Sequence, residues 1–386
     1  MSAGEDRNEW VDRLLADPDG ERARRARAYL GGPVPCITDA RAEASEGGSR
    51  DFYSQGDYWW PNPDSASGLP FVRRDGESYP GAFHEHRTAM RSVRRAIALL
   101  AEHYLRTRES CFAEEACRYA HGFFLDSKTG MMPRLEYAQA IPGITPGRGT
   151  GIIDTLHIGE VPVAFMALES SVAGDERASG QVRETAAALR EWFSEYLSWM
   201  RSSPNGVEER DKANNHAVAW TVQTAIFSRF TSDVVALNEA RERTVGTHIT
   251  DQMAPDGSFP LELERTKPYS YSLFNLDLIA TLCHVLSERP SSLWHYATDD
   301  GRGPARGVDF MVPYVQDKAS WPFGIDVDHW DELPIRQPFL LFGAYGLRRP
   351  DLLAVWNELP SETRDKEVMR NLLYRSPALW FGPVCA

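Results

Sequence analysis

An all-α fold, an (α/α) toroid (incomplete α/α barrel) built from helical hairpins, is what this chain predicts, and three observations carry the expectation. Beyond residue 90, apolar residues recur at steps of three and four, the period of a helix buried along one stripe, and strand-like alternation is scarce. Clusters of Gly, Pro, Asn and Asp fall between the periodic segments and leave short connections. At 386 residues and 42% apolar content the chain exceeds a typical single domain, yet no low-complexity linker divides it. Hairpins arranged around a common axis satisfy all three observations, and the toroid is their closed form.

The elements follow in order. Met1 to Asp19 reads as a charged amphipathic segment with Trp10, Val11, Leu14 and Leu15 on its apolar face. Residues 1–50 form an N-terminal helical wrap belonging to the same unit as the toroid domain, 51–386. Asp51 to Pro80 and Met131 to Asp154 break the helical rhythm with aromatics, Pro, Gly and charge. Long loops inside a compact domain are more often functional than not, so these two are the expected cleft walls. Helices are expected over roughly 89–106, 112–124, 159–173, 182–200, 216–230, 233–253, 271–288, 305–315, 337–347 and 364–373. The pattern is clearest at Val182, Ala186, Leu189, Trp192, Phe193, Tyr196, Leu197 and Met200. Ser203-Pro204-Asn205-Gly206, Pro255-Asp256-Gly257 and Glu288-Arg289-Pro290 read as turns or helix exits.

Net charge is 42 − 55 = −13, which argues against nucleic-acid or anionic-membrane binding, since both need a broad positive field. A polyanionic ligand stays possible, because a few buried Arg and His reverse the potential locally. Eleven Trp are many, and some are expected to line a groove. Cys36, Cys111, Cys117, Cys283 and Cys385 are odd in number and lack zinc-site spacing, so free thiols in a reducing compartment are expected. No opening stretch resembles a signal peptide and no run of about 18 apolar residues was found. A cytoplasmic protein is the expectation, or a secreted or periplasmic one if a leader has been trimmed. His84 and His86 stand at i, i+2 and point to different faces of a helix. No metal and no cofactor is expected.

The run Lys212-Ala213-Asn214-Asn215-His216, answered by Arg265 and Tyr271, has the residue types that β-elimination on a uronic acid requires. Removing the C5 proton of a uronate builds charge on the adjacent carboxylate, which must first be neutralised by donors and cations. Asn215 and His216 supply donors and Arg265 a fixed charge. A base near C5 is also needed, either Tyr271 as phenolate or a neutral His216. An acid for the departing O4 completes the set, and Tyr271 fits it. The same run reads equally well as a helix N-cap, with Asn214 or Asn215 capping the apolar segment that follows, and capping is compatible with catalysis. Among further candidates, Tyr58, Trp59 and Trp60 can stack on sugar rings, Tyr137 and Gln139 can bond hydroxyls, and Arg148 between glycines suits a carboxylate.

Four segments resemble the alginate lyase domain family of polysaccharide lyases: Tyr53-Ser-Gln-Gly-Asp-Tyr-Trp-Trp-Pro-Asn-Pro63, Tyr137-Ala-Gln-Ala-Ile-Pro-Gly143 with Gly151-Ile-Ile-Asp-Thr155, Lys212-Ala-Asn-Asn-His216, and Pro260-Leu-Glu-Leu-Glu-Arg-Thr266 followed by Tyr271-Ser-Leu-Phe-Asn-Leu276. They occur in the family's order over roughly residues 50–330. The resemblance implies an (α/α) toroid that cleaves a 4-O-linked uronic acid in a poly- or oligosaccharide without a catalytic metal. It further implies that Asn215 and His216 neutralise the carboxylate, Arg265 supports them, and Tyr271 moves the proton. Asn214 and Tyr269 join the binding residues, and Tyr269 is Tyr271's rival for proton transfer. Met131-Met-Pro-Arg134 departs from the Asn-Pro-Asn-like run of many relatives, so one subsite is expected to differ. Two other readings stand beside this one. One is a glycoside hydrolase on the same architecture using two carboxylates from Asp57, Glu262, Glu264 and Asp326, and the other is a sugar-binding scaffold without chemistry.

Overall fold

The computed structural model describes residues 7–288 and 292–382. Cys385 and the Arg289-Pro290 part of the third expected turn lie outside the described residues.

Among the described residues there are sixteen α-helices and four very short strands. The chain opens with α1 (Arg7–Leu15) and α2 (Glu21–Arg27). The first aromatic loop carries β1 (Tyr53–Gln55), β2 (Trp59–Trp60) and β3 (Val72–Arg73). It leads into α3 (Glu85–Thr107) and α4 (Ser110–Ala120), and the second loop carries β4 (Tyr137–Ala140). Then come α5 (Glu160–Ser171), α6 (Ser179–Ser202), α7 (Pro204–Arg210), α8 (Asn215–Thr231) and α9 (Val234–Arg243). The chain continues through α10 (Pro260–Leu263), α11 (Pro268–Leu286), α12 (Pro304–Gln316), α13 (Pro338–Gly346), α14 (Pro350–Glu358), α15 (Lys366–Asn371) and α16 (Pro377–Trp380).

The packing order is that of a toroid. An inner series runs α3–α5–α8–α11–α13, each helix against the next, while α4, α6, α9, α12 and α14 back it from outside. Composition sorts the helices into the two layers. Helices α8, α11 and α13 are apolar nearly all round and are buried on almost every face, as expected for elements enclosed by others. Helix α6 has a single buried stripe, Val182, Ala186, Leu189, Phe193, Leu197 and Met200, as an outer helix needs. Helix α16 touches both α3 and α5. Trp380 lies 5.7 Å from Phe342 of α13, which brings the two ends of the inner series together. Trp10 of α1 stacks on Phe381 at 5.5 Å, so the N-terminal helix is pinned to the C-terminal one. The stretch Gly149–Ser171 is long and apolar enough on average to pass for a membrane span, although Asp154, His157 and Glu160 interrupt it, and most of it is buried inside the protein as part of the inner layer.

One boundary differs from expectation and matters for the site. Ser203-Pro204-Asn205-Gly206 is not a turn but the start of α7: the Ser203 hydroxyl accepts from Gly206 N at 2.9 Å and Pro204 occupies the first helical position. Proline there loses no hydrogen bond and arrives with its φ already helical, so a breaker signal was in fact a start signal. The two irregular loops are tied together by the parallel pair β1–β4, Tyr53 opposite Tyr137. They form one wall at one end of the helical ring.

Candidate active site

Helix α8 begins where its first turn is capped twice. Asn214 is the N-cap, its side chain accepting from His216 N at 3.4 Å. The buried carboxylate of Glu262 accepts from both Asn215 N and Asn215 Nδ2, each at 2.7 Å. Capping and placement are therefore the same event: the bonds that satisfy the helix end also fix the Asn215 amide. His216 follows on the next position, and its Nδ1–H donates to Glu209 Oε1 at 2.6 Å. Glu209 comes from α7 and is 0% exposed. That bond leaves Nε2 as the free nitrogen of the imidazole.

Helix α11 begins with Pro268, and its first amides, Tyr269 N and Ser270 N, are each received at 2.9 Å by Asp326. One turn in, the Tyr271 hydroxyl meets Tyr58 Oη at 2.9 Å and accepts from Arg265 Nη2 at 3.2 Å. The Arg265 guanidinium lies over the Tyr271 ring, 4.2 Å from its centre, and is held at 3.0 Å by Asp75 of the first loop. Burial raises the Tyr271 phenol above its ordinary value, and Arg265 only opposes the shift. The sequence-level option of a phenolate favoured by neighbouring cations thus meets a stronger desolvation effect, and the resting hydroxyl keeps its proton.

These groups face one cavity of about 330 Å³. Tyr58, Trp59, Gln139, Arg148, Asn214, Asn215, His216, Arg265 and Tyr271 all line it, as the sequence reading expected. Gln139 holds a left-handed backbone, φ 50°, uncommon for this residue type. Its backbone N–H donates to Ser54 Oγ, and its side chain bonds Arg148 at 2.9 Å and Asp154 at 3.3 Å. Arg148 also lies toward the Trp59 ring, 5.9 Å from its centre.

Three expected residues lie elsewhere. Tyr269 is 0% exposed, donates to Tyr314 O at 3.1 Å and packs between Trp321 and Trp330. Two helical positions from Tyr271 is about 200°, so the two phenols point to opposite sides of α11. Trp60 follows Trp59 on a strand and therefore faces away; its Nε1–H donates to Glu77 O and Arg74 covers its ring. Tyr137 packs against Gly47 and the small cluster around Tyr53, outside the cavity, where it pins the second loop.

The hydrolase carboxylates do not form a facing pair. Glu262 holds Asn215, Asp326 caps α11, and Glu264 is exposed. Asp57 is buried between Arg87 and Arg370; burial pushes its carboxyl up, but the two guanidinium groups hold it well below the usual range. His86 is structural, with Nδ1 accepting from Tyr53 N and Nε2 against Ala40 O. His329 does not line the cavity but stands one step behind it, paired with Asp365 at 2.6 Å and with the lining residue Glu367 at 3.1 Å.

Several lining residues escaped the sequence reading: Arg91, His157, Lys267, Glu367 and Arg370, besides Glu209 behind His216. Arg87 and Arg91 stand four apart on α3, one face of a helix, which was a usable signal. Glu367 and Arg370 lie about 300 residues from the first-loop residues they face and gave none. Counted over the described lining, seven Lys and Arg (Arg73, Arg91, Arg148, Lys212, Arg265, Lys267, Arg370) face three carboxylates (Asp57, Asp154, Glu367). The cavity is therefore locally cationic on a chain of net charge −13.

A family model described as alginate lyase matches residues 37–321. No curated protein matches. Among solved structures, an alginate lyase from Bacteroides ovatus is 26% identical with a TM-score of 0.82, over 97% of this chain and 98% of that one. Alginate lyase A1-III, in a histidine-to-alanine variant complexed with a tetrasaccharide, shares the fold at 14% identity and a TM-score of 0.51, over 94% of this chain and 81% of that one. With the family's model spanning most of its length and the toroid expected of its sequence, this chain belongs to the alginate lyase family and is a polysaccharide lyase.

Proposed function

We propose that this enzyme cleaves the bond to O4 of a uronic acid within a polyuronate, of the alginate or glucuronan kind, by β-elimination that needs no metal ion. The observation that carries the reading is the meeting of the Tyr271 hydroxyl with Arg265 at 3.2 Å and Tyr58 at 2.9 Å in the cationic cavity that also holds Asn215 and His216. Asn215 and Arg265 take the substrate carboxylate and stabilise the charge that spreads onto it when C5 loses its proton. His216, with Nδ1–H turned to Glu209, offers Nε2 to that proton. The electron pair left on C5 forms the C4=C5 double bond as the C4–O4 bond breaks, and Tyr271, resting protonated, gives its proton to O4. Burial, by keeping the phenol neutral, supports Tyr271 as the acid and His216 as the base. Trp59 and Arg148, neighbours in the cavity lining, receive a neighbouring ring.

The test is product analysis on mannuronate, guluronate and glucuronate oligomers. The expected products include a conjugated 4,5-unsaturated uronyl end, seen by its ultraviolet absorbance and by a mass one water below the hydrolysis product. Saturated products only, or none from any uronate, would refute the proposal.

A further inference from the structure

The cations of the cavity are not equivalent. Arg73 and Arg265 pair with Asp75, Lys212 with Glu208, Lys267 with Glu367, and Arg370 with Asp57 and Glu367. Arg148 has no carboxylate but bonds the carbonyl and side-chain oxygens of Gln139. Arg91 has no hydrogen bond or ion pair among the described residues, and its Nε is buried without a partner. The carboxylates in its electrostatic reach, Asp57 and Asp154, are already bonded to Arg87, Arg370, Gln139 and Ser54. Beside Arg91 in the lining stands His157, 7% exposed, with Nδ1 buried and unsatisfied and neither ring nitrogen bonded to the protein. A buried donor without a partner costs about 1–3 kcal/mol, so two such groups facing one cavity mark a place for a ligand.

The ligand has to bring an acceptor, and the surrounding positive charge favours an anion. Arg91 can only donate, and Arg370 is a second guanidinium facing the same space. Burial together with Arg370 and Arg87 lowers Arg91 to about 10, and burial together with Arg94 and Arg91 holds His157 well below its ordinary value. An entering carboxylate would relieve both. No hydrogen bond, ion pair or ring contact joins Arg91 or His157 to Asn215, His216, Arg265 or Tyr271.

We propose that Arg91 and His157 form a second carboxylate subsite, which takes the carboxylate of a uronate adjoining the one that is cleaved. The inference rests on the elimination proposed above and names the residues that would select its polyuronate substrate: chains in which successive residues are uronates fit both anion sites, whereas chains alternating uronates with neutral sugars leave this one unfilled.

The test compares an all-uronate trisaccharide with analogues in which one residue's carboxyl has been reduced to a hydroxymethyl. Arg91→Gln is expected to raise KM for the all-uronate trimer about ten- to a hundredfold, the size of a charge-assisted bond, with kcat nearly unchanged. On the analogue reduced at the adjoining residue, variant and parent should share one KM. His157→Asn should show the same selectivity more weakly, and Arg91→Lys should recover part of the loss. Calorimetry with Tyr271→Phe protein reads the subsite without turnover: the all-uronate trimer binds more tightly than the reduced analogue, and the difference vanishes when Arg91→Gln is added. Equal KM increases on both trimers, no increase on either, or equal binding of the two ligands overturns the subsite. Absence of unsaturated product from the parent enzyme instead sinks the elimination, and the calorimetric comparison still judges the subsite.

Discussion

Replacing Tyr271 by Phe removes one oxygen atom, and the structure says what goes with it. Two hydrogen bonds are lost, to Arg265 at 3.2 Å and to Tyr58 at 2.9 Å. Arg265 keeps Asp75, and the face of the ring remains beneath the guanidinium. At about 1 kcal/mol net for the neutral bond to Tyr58 and about 1.5–3 kcal/mol for the bond to the charged Arg265, the fold loses about 2.5–4 kcal/mol, which lowers Tm by only a few degrees in a chain this long. The chemistry loses the donor for O4, and a positioned acid contributes about 10²–10⁴ in rate, or about 2.7–5.4 kcal/mol at 1.36 per decade. Activity should therefore collapse while the melting curve hardly moves. The assay is initial rate by ultraviolet absorbance of the unsaturated product, beside thermal melting of both proteins. A variant retaining turnover within about tenfold of the parent, with the same unsaturated product, would refute the assignment of Tyr271 as acid.

Glu209→Gln keeps the shape of the residue behind His216 but deletes its charge; with a charge-assisted bond worth about 1.5–3 kcal/mol, kcat should fall about ten- to a hundredfold at little change in KM, and unchanged kcat would free His216 of its buried partner. Tyr269→Phe should leave kcat and KM alone and cost about 1 kcal/mol of stability in denaturant melts, since its hydroxyl serves only the Tyr314 carbonyl; loss of turnover there would reinstate it as a proton carrier. His329 is raised from 6.5, first by its bond to Glu367, against burial, and further by Asp365. A group raised on folding contributes stability that is fully present below its unfolded pKa and is lost as pH climbs through the folded one. Tm should therefore decline from neutral into alkaline pH, and His329→Gln should flatten that decline; parallel profiles would exclude the pair as its source.

The toroid was legible because its signals are local and repeated: a stripe along α6, breakers between helices, and an apolar surround for α8 and α11 that matches their burial. Asn215, His216, Arg265 and Tyr271 were legible because they sit in short runs whose chemistry is coherent. Where reading failed, it failed for geometric reasons. Tyr269 and Trp60 are sequence neighbours of lining residues, and only the helical angle or strand alternation sends them outward. The Ser203-Pro204 start of α7 was read as a stop, and Glu209 was hidden with it. Glu367 and Arg370 arrive from the far end of the chain, where no local pattern announces that they face residues of the first loop.

That long-range arrival explains how an acidic chain holds a cationic cavity. The carboxylates on the cavity's cations come from separate elements: Asp75 from the first loop holds Arg265, Glu367 from α15 holds Lys267, and Asp57 beside β2 holds Arg370. A cluster of bare guanidinium groups would repel one another and pay full desolvation, whereas paired ones stay ionised in place. Each pair leaves donors over, because an Arg carries five and one carboxylate takes two at most. A uronate entering the cavity then meets donors already oriented, with little reorganisation required as charge develops on its carboxyl. The −13 of the whole chain and the positive cavity are thus not in conflict, since some of the acidic residues are the counter-ions that let the basic ones sit together.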